Sequence, residues 1–429
     1  MKRAITAFVL GALGVSAMSA AIPVASSQAP ATPPPLPSAP GDPVIQWNRI
    51  LLGIQATTGA QPATVHPTYD LAITHAAIYD AVVAINHSGS PYLIRYHGPR
   101  HASLAASADT AAHDALVRLY PNLKATIDSD YARLLAQVPA GGPKSQGITV
   151  GRIVAQRILA KRSNDGSAAP LRAFTAGTAP GDYQLTPPKF GSPVFTNWPS
   201  VRPFLIRRAS QFRPPPPPAL TSSTWTAVFN EVKALGVSQG STRTPEQSQI
   251  AVFWNPPIWA AWNQIAQTVA LGHHSTLSEN ARTFALLNVS FADSAIAFYD
   301  AKYAYHFWRP VTAIRNASRA GNPATVANPN WTPLVATAPD PSYPGAHSTI
   351  SAAGAGVLSS VYGNRVAFTV TSPALPGVKR SFTRFSDAAN EAGLSRIYNG
   401  NHTRIDHVAG QGLGHQVAGY VIRHFPSPR

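Results

Sequence analysis

Residues 276–310 read TLSENARTFALLNVSFADSAIAFYDAKYAYHFWRP. Thr276-Leu-Ser-Glu279 has the spacing of a capping box, which starts a helix. No Pro or Gly follows until Arg309-Pro310, where the proline ring breaks the pattern. Phe284, Leu287, Phe291, Ala295 and Phe298 recur at helical spacing and form one apolar stripe. Continued along the helix, that stripe lands on Lys302, Tyr305 and Arg309. Lys302 and Arg309 lie seven residues apart and so share a face. If that face is buried, both cations need carboxylates or a bound anion, because an unpaired buried charge is costly. If the helix end has left the core, both side chains are simply solvated.

Helical patterns dominate on either side. On the N-terminal side they cover Tyr69–Ile85, Ala105–Tyr120, Leu123–Val138, Ile148–Lys161, Ser222–Leu235, Pro245–Trp254 and Ile258–Leu271. Between them, Pro170 to Pro218 is rich in Pro and Gly and ends in five consecutive prolines. It is too long for an ordinary loop and reads as an extended segment wrapped over or between bundles. No strand hairpin stands out. The expected fold class is all-α, two helical bundles joined by a Pro-rich crossing segment. The expected division is a signal peptide over 1–25, a disordered Pro/Ala-rich leader over 26–43, an N-terminal bundle with the crossing segment over 44–220, and a C-terminal bundle over 221–429.

The signal peptide is read from Lys2-Arg3, the apolar run Ala4–Val15 and the small residues after it. It predicts a secreted, extracytoplasmic protein. The 429 residues contain no Cys and two Met, Met1 and Met18. Cleavage between Ser19 and Ala29 would leave no sulfur, excluding disulfides, zinc–thiolate sites, iron–sulfur clusters and a Cys nucleophile. Two explanations fit: compositional drift, or a chain that must survive strong oxidants, which attack Cys and Met first. Charged residues make up only 12% of the chain, yet the formal net charge is +16. That balance favours an anionic partner. The basic residues are dispersed and match no nucleic-acid motif, so nucleic acid is not expected. No apolar run beyond the signal is long enough to span a membrane.

Two further segments carry chemistry. Pro341-Ser-Tyr-Pro-Gly-Ala-His-Ser348 is a turn entering the helical run Ser348–Leu358. It places the backbone N–H groups of Gly345 and Ala346 at a helix N-terminus, an anion cradle with His347 beside it. His347 could equally be a cap or a surface residue. In Ser395-Arg-Ile-Tyr-Asn-Gly-Asn-His-Thr-Arg-Ile-Asp406, His402 and Asp406 lie four apart on a helix that Asn401 would cap. They form either a solvated pair or a carboxylate that orients an imidazole and leaves its other nitrogen basic. Arg396 adds a third cation.

In this order the three segments resemble the superfamily joining vanadium-dependent haloperoxidases, type 2 phosphatidic acid phosphatases and bacterial acid phosphatases. The motifs are Lys302, six residues, Arg309-Pro310; Pro344-Gly345-Ala346-His347, where Pro-Ser-Gly-His is usual; and Ser395-Arg396, five residues, His402, three residues, Asp406. Asp300-Ala-Lys-Tyr, Phe307-Trp308-Arg-Pro, Trp47-Asn48 and His75-Ala-Ala-Ile-Tyr-Asp80 resemble its exported bacterial haloperoxidase branch. The resemblance implies a vanadate cofactor. Its oxygens would be neutralised by Lys302, Arg309 and Arg396 and held by Gly345 and Ala346, and its metal would be bound by His402. Asp406 would hold the His402 tautomer, His347 would act in acid–base steps, and Lys302 would polarise bound peroxide. Hydrogen peroxide and a halide would be the substrates, with a small organic acceptor possible and homodimer formation left open. An acid phosphatase using His402 as a phosphohistidine nucleophile is the alternative, and a non-catalytic oxyanion-binding protein is a second one. The lipid-phosphatase branch is disfavoured, because its members are membrane-embedded. Gly345 lacks the hydroxyl of the usual Ser, and Ser342 and Ser348 are the nearest candidates to replace it.

Overall fold

Asp42 starts the first helix: its carboxylate accepts the N–H groups of Val44 at 2.9 Å and Ile45 at 3.2 Å. That helix, α1, spans Pro43–Ala56. The structure is a computed structural model that describes residues 41–427. The expected signal peptide and nearly all of the expected leader lie outside the described residues. Among the described residues there are thirteen α-helices and two short strands, so the protein is all-α as the hydrophobic periodicity predicts.

Helix α2, Pro67–Asn86, is buried at every position from Thr68 to Ile85. A helix apolar on all sides belongs in the middle of a core, and its few polar residues have internal partners. Asp80, for example, accepts the N–H groups of Tyr92, Leu93 and Ile94 at 2.6–2.9 Å. Helices α3 (Leu104–Leu119) and α5 (Gly142–Arg162) pack on α2, and α4 (Lys124–Leu135) packs on α3. Helices α3 and α5 approach closely at Gly147 and Gly151. A Cβ at either position would lie 2.4 Å from a carbonyl oxygen of α3 or its cap, Ser107 or Ser103.

Next come α6 (Ser223–Leu235), α7 (Pro245–Phe253), α8 (Ile258–Gly272) and α9 (Leu277–Tyr305). Helix α9 opens with the expected capping box between Thr276 and Glu279 and is buried from Ala281 almost continuously to Lys302. It packs on α2, and one apolar cluster runs from Val44 to Phe425 across both. A polar seam crosses that cluster. Asn48 donates to His75 Nε2 and to Asn263 Oδ1, both at 2.8 Å, and Asn263 exchanges hydrogen bonds with Asn288. Asn48 and His75 thus register α1, α2, α8 and α9 against one another.

The Pro-rich segment holds no α-helix, only short 3-10 turns at Trp198–Ser200 and Ala209–Phe212. It runs along α9, and carboxylates on that helix hold it. Asp293 accepts the N–H groups of Phe204, Leu205 and Ile206 at 2.6, 2.8 and 2.9 Å. Asp300 makes a two-pronged pair with Arg213 at 2.8 Å. Beyond α9 follow α10 (Pro310–Arg315), α11 (Ala346–Tyr362), α12 (Phe385–Tyr398) and α13 (Arg404–His424). A second apolar cluster, built on Trp225, Trp308, Val311, Trp331 and Ile397, joins α6, α10 and α12.

One element was not expected. Strands β1 (Phe368–Thr371) and β2 (Lys379–Phe382) form an antiparallel hairpin with Phe368 opposite Phe382. Its only local signal is the alternation Phe-Thr-Val-Thr ahead of Pro376-Gly377, four residues that propensity alone does not separate from loop.

Asp293→Ala should lower stability by about 3 kcal/mol, because three backbone N–H groups lose a charged acceptor. Urea unfolding followed by circular dichroism measures this, and a midpoint unchanged from wild type would contradict it.

Candidate functional site

Lys302 is the last fully buried residue of α9, with 0% of its surface exposed. Its ammonium donates to the carbonyl oxygens of Pro341 and of Ser342 (3.2 Å) and lies 3.2 Å from Asp340 Oδ2. Arg309 does not share its helix face, contrary to the periodicity argument. The helix stops at Tyr305 because His306 turns left-handed, with φ 48°. Arg309 is instead the residue that caps α10. The chain reversal still brings its guanidinium to the same place. Nε donates to Asp340 O at 2.7 Å, Nη1 to Asn401 O at 3.0 Å, and Nη2 to Asp340 Oδ1.

Arg309 Nη1 also lies 3.2 Å from Nε2 of His402. A guanidinium can only donate, so Nε2 is the acceptor and the ring proton sits on Nδ1. Nδ1 faces Ser342 Oγ at 3.3 Å, and Ser342 donates to Asp406 Oδ2 at 2.8 Å. The direct distance from His402 Nδ1 to Asp406 Oδ2 is 3.4 Å. His402 and Asp406 do not ride on one helix face, and Asn401 is not the cap. Thr403 caps α13, and Asp406 completes a capping box by accepting Thr403 N at 2.7 Å and Thr403 Oγ1 at 3.0 Å. Asp406 is therefore aimed at His402 by the helix start, with the Ser342 hydroxyl between them.

Gly345 caps α11 without any side-chain hydrogen bond. Its own N–H, expected in the anion cradle, donates instead to Asp406 O at 2.9 Å. Ala346 begins the helix behind it. A Cβ on Gly345 would lie 3.1 Å from that same carbonyl oxygen, so a serine here requires the Asp406 backbone to yield slightly. Neither candidate hydroxyl is spare: Ser342 bridges His402 and Asp406, and Ser348 pairs with His407 Nδ1 at 2.9 Å. His347 stands in the first turn of α11, and its Nε2 is buried with no partner. Arg396, in the last turn of α12, is 6% exposed. Its Nη1 donates to Asn255 Oδ1 at 2.9 Å, its Nε has no partner, and no carboxylate pairs with it among the described residues.

The electrostatics follow from burying three cations together. Burial pulls the Lys302 ammonium down to about 8, with Asp340 opposing the shift and Arg309 adding to it. Burial, then the Arg309 charge, brings Arg396 down to about 9. His347 and His402 are held well below the ordinary imidazole value by burial and the neighbouring cations, so both are neutral. Burial alone would raise Asp340, but the Lys302 and Arg309 charges outweigh it and hold the carboxyl below its usual range. Burial raises Asp406. The site is a positive pocket with two neutral imidazoles, and of its two carboxylates only Asp340 pairs directly with the cations.

Residues 282–428 match the family described as the VCPO second helical-bundle domain. Over 194 residues the chain is 24% identical to the vanadium chloroperoxidase of Curvularia inaequalis. That match covers 37% of this chain and spans about a third, 31%, of the curated relative. The whole fold resembles the crystal structure of a bacterial vanadium-dependent iodoperoxidase, with a TM-score of 0.76 and 24% identity over 91% of this chain and 97% of that one. A holo-type bacterial vanadium-dependent chloroperoxidase gives a TM-score of 0.67 at 15% identity, covering 83% and 91%. The C-terminal part of this chain matches the vanadium chloroperoxidase family model, and the whole fold is that of solved bacterial vanadium haloperoxidases.

Within that fold, the site contains three residues that sequence reasoning did not place. Asn255 holds Arg396, and its only signal was a Pro-flanked loop ahead of α8. Ser342 appeared only as a stand-in for a missing hydroxyl, whereas it links His402 to Asp406. Asp340 was missed altogether, although it is an isolated acid beside the Pro341 turn in a chain poor in acids. Trp308 and Tyr343 pack in the second apolar cluster, and the Tyr343 hydroxyl donates to Pro215 O at 2.7 Å.

Ser342→Ala should leave His402 Nδ1 and Asp406 Oδ2 without the hydroxyl that bridges them. The expected results are a stability loss of about 1 kcal/mol and an unchanged Nδ1–H tautomer in nitrogen NMR shifts, because Arg309 still donates to Nε2. A proton moved to Nε2 in the variant would show that the hydroxyl, not Arg309, sets the tautomer.

Proposed function

We propose that the protein is an exported vanadium-dependent haloperoxidase that oxidises halide with hydrogen peroxide at a His402-ligated vanadate. One observation carries the oxyanion reading: Arg396 is a buried guanidinium with no carboxylate partner, beside Lys302 and Arg309 and within electrostatic reach of His402 and His347. Three buried cations faced by two carboxylates, Asp340 and Asp406, leave positive charge that a tetrahedral oxyanion would neutralise. The donor set fits vanadate. His402 offers a neutral Nε2 lone pair, Arg396 Nε and His347 Nε2 are buried without partners, and the guanidinium forks suit planar sets of oxygens.

In this reading His402 Nε2 would bind the metal in place of its hydrogen bond from Arg309, and the Nδ1 proton directed at Ser342 and Asp406 keeps Nε2 unprotonated. Arg396 would hold the oxygens through its unpartnered Nε, Arg309 through the one N–H that Asp340, Asn401 and His402 leave free, and Lys302 would place its charge beside them. His347, neutral and unpartnered at Nε2, would accept and return a peroxide proton at that atom. Vanadate, when bound, supplies an electron-poor centre that activates peroxide toward halide. The absence of Cys and Met from residue 19 onward supports an oxidant-producing reaction over phosphate hydrolysis, because hypohalous acid attacks sulfur first. The Lys2-Arg3 and Ala4–Val15 pattern supports export. No helix among the described residues is long and apolar enough to cross a membrane.

Protein stripped of vanadate should halogenate a phenol with peroxide and bromide only after orthovanadate is added. His402→Ala should lower that rate by more than about 100-fold. Vanadate-inhibited hydrolysis of a phosphate monoester, with no halogenation, would point to the phosphatase alternative. Oxyanion binding with neither activity would point to the non-catalytic one.

A further inference from the structure

The residue that sequence reasoning missed sits where the oxyanion would. Asp340 is 5% exposed, and both of its carboxylate oxygens are engaged, Oδ1 by Arg309 Nη2 and Oδ2 by Lys302 Nζ at 3.2 Å. Its backbone is fixed as well. Its carbonyl accepts Arg309 Nε at 2.7 Å, its N–H donates to Ala338 O at 3.0 Å, and prolines flank it at 339 and 341. The donors that would receive an oxyanion are therefore already occupied. The three N–H bonds of Lys302 point to Pro341 O, Ser342 O and Asp340 Oδ2. Arg309 keeps a single N–H free after Asp340, Asn401 and His402.

An incoming oxyanion meets a carboxylate held in place by the same two cations. Each carboxylate oxygen retains a lone pair and has no proton to give. An oxyanion oxygen that carries a hydrogen can donate to it. A bare oxygen set against it is repelled by like charge in a poorly solvated pocket. We infer that Asp340 is a specificity-determining residue whose carboxylate accepts a hydrogen bond from a protonated oxygen of the bound oxyanion, restricting the site to tetrahedral oxyanions that keep a proton near neutral pH. Orthovanadate and phosphate belong to that class and sulfate does not. The inference rests on the oxyanion reading of the site and adds a selection rule to it.

The test is isothermal titration of the full chain with orthovanadate, phosphate and sulfate at fixed pH and ionic strength, for wild type, Asp340→Asn and Lys302→Ala. Wild type should bind vanadate and phosphate at least about 10-fold more tightly than sulfate. Asp340→Asn should raise sulfate affinity about 10-fold and bring the phosphate-to-sulfate ratio near one, since an amide carries no charge and can donate. If wild type takes sulfate as tightly as phosphate, the inference is overturned without any variant. It is equally overturned if Asp340→Asn keeps the wild-type ratio while binding still depends on Lys302; the oxyanion site then stands. If none of the three anions binds wild type, the oxyanion reading itself falls, and the inference with it. Should Asp340→Asn fail to fold, Asp340→Ser and the wild-type ratio decide the same question.

Discussion

Three cations are buried side by side in this protein, and a single carboxylate pairs directly with any of them. Lys302, Arg309 and Arg396 are each at most 6% exposed, and Asp340 pairs with the first two only. Assembling like charges away from water is unfavourable unless something answers them. The surrounding backbone does much of that work. Carbonyls of Asp340, Pro341, Ser342 and Asn401 accept from Lys302 and Arg309, so the turn before α11 and the loop before α13 are folded around the charges. Arg396 receives less, one amide oxygen from Asn255. That shortfall distinguishes the pocket from a closed ion-pair network.

The scaffold is rigid where the site needs it to be. Lys302 stands at the end of a helix buried along nearly its whole length and registered against α1, α2 and α8 by the Asn48–His75–Asn263–Asn288 seam. The Pro-rich segment, which lacks helical hydrogen bonds of its own, is held by Asp293 and Asp300 on the same helix. It then passes close to the site, where the Tyr305 and Tyr343 hydroxyls donate to Pro214 O and Pro215 O. The carboxylates of α9 thus position the covering segment, while its last turn supplies the first cation.

The likeness to vanadium haloperoxidases agrees with the all-α architecture. The chain also departs from the expected motif in a way that the structure makes intelligible. Gly345 replaces the usual serine at a point where its N–H bonds the Asp406 carbonyl and where a Cβ would press on that same oxygen. Close approach of the α11 and α13 starts has taken the place of a hydroxyl. That contact ties the His347 turn directly to the residue that orients His402.

Sequence alone determined the helical class, most helix positions and the residues of the three charged motifs, because these depend on local periodicity, caps and spacing. The capping boxes at Thr276 and the helix breaks at proline are short-range effects, written within a few residues. Contacts between motifs were decided only by tertiary structure. Periodicity placed Lys302 and Arg309 on one helix face, yet the left-handed turn at His306 separates them, and chain reversal brings them back through Asp340. Spacing placed Asp406 on the face of His402, whereas the capping box at Thr403 and the Ser342 hydroxyl, 64 residues from Asp406, set their geometry. Asp340 has no local pattern to mark it. Its significance comes from two cations that reach it from positions 38 and 31 residues earlier in the chain. Charge burial is a property of where chains meet, and no window of sequence contains it.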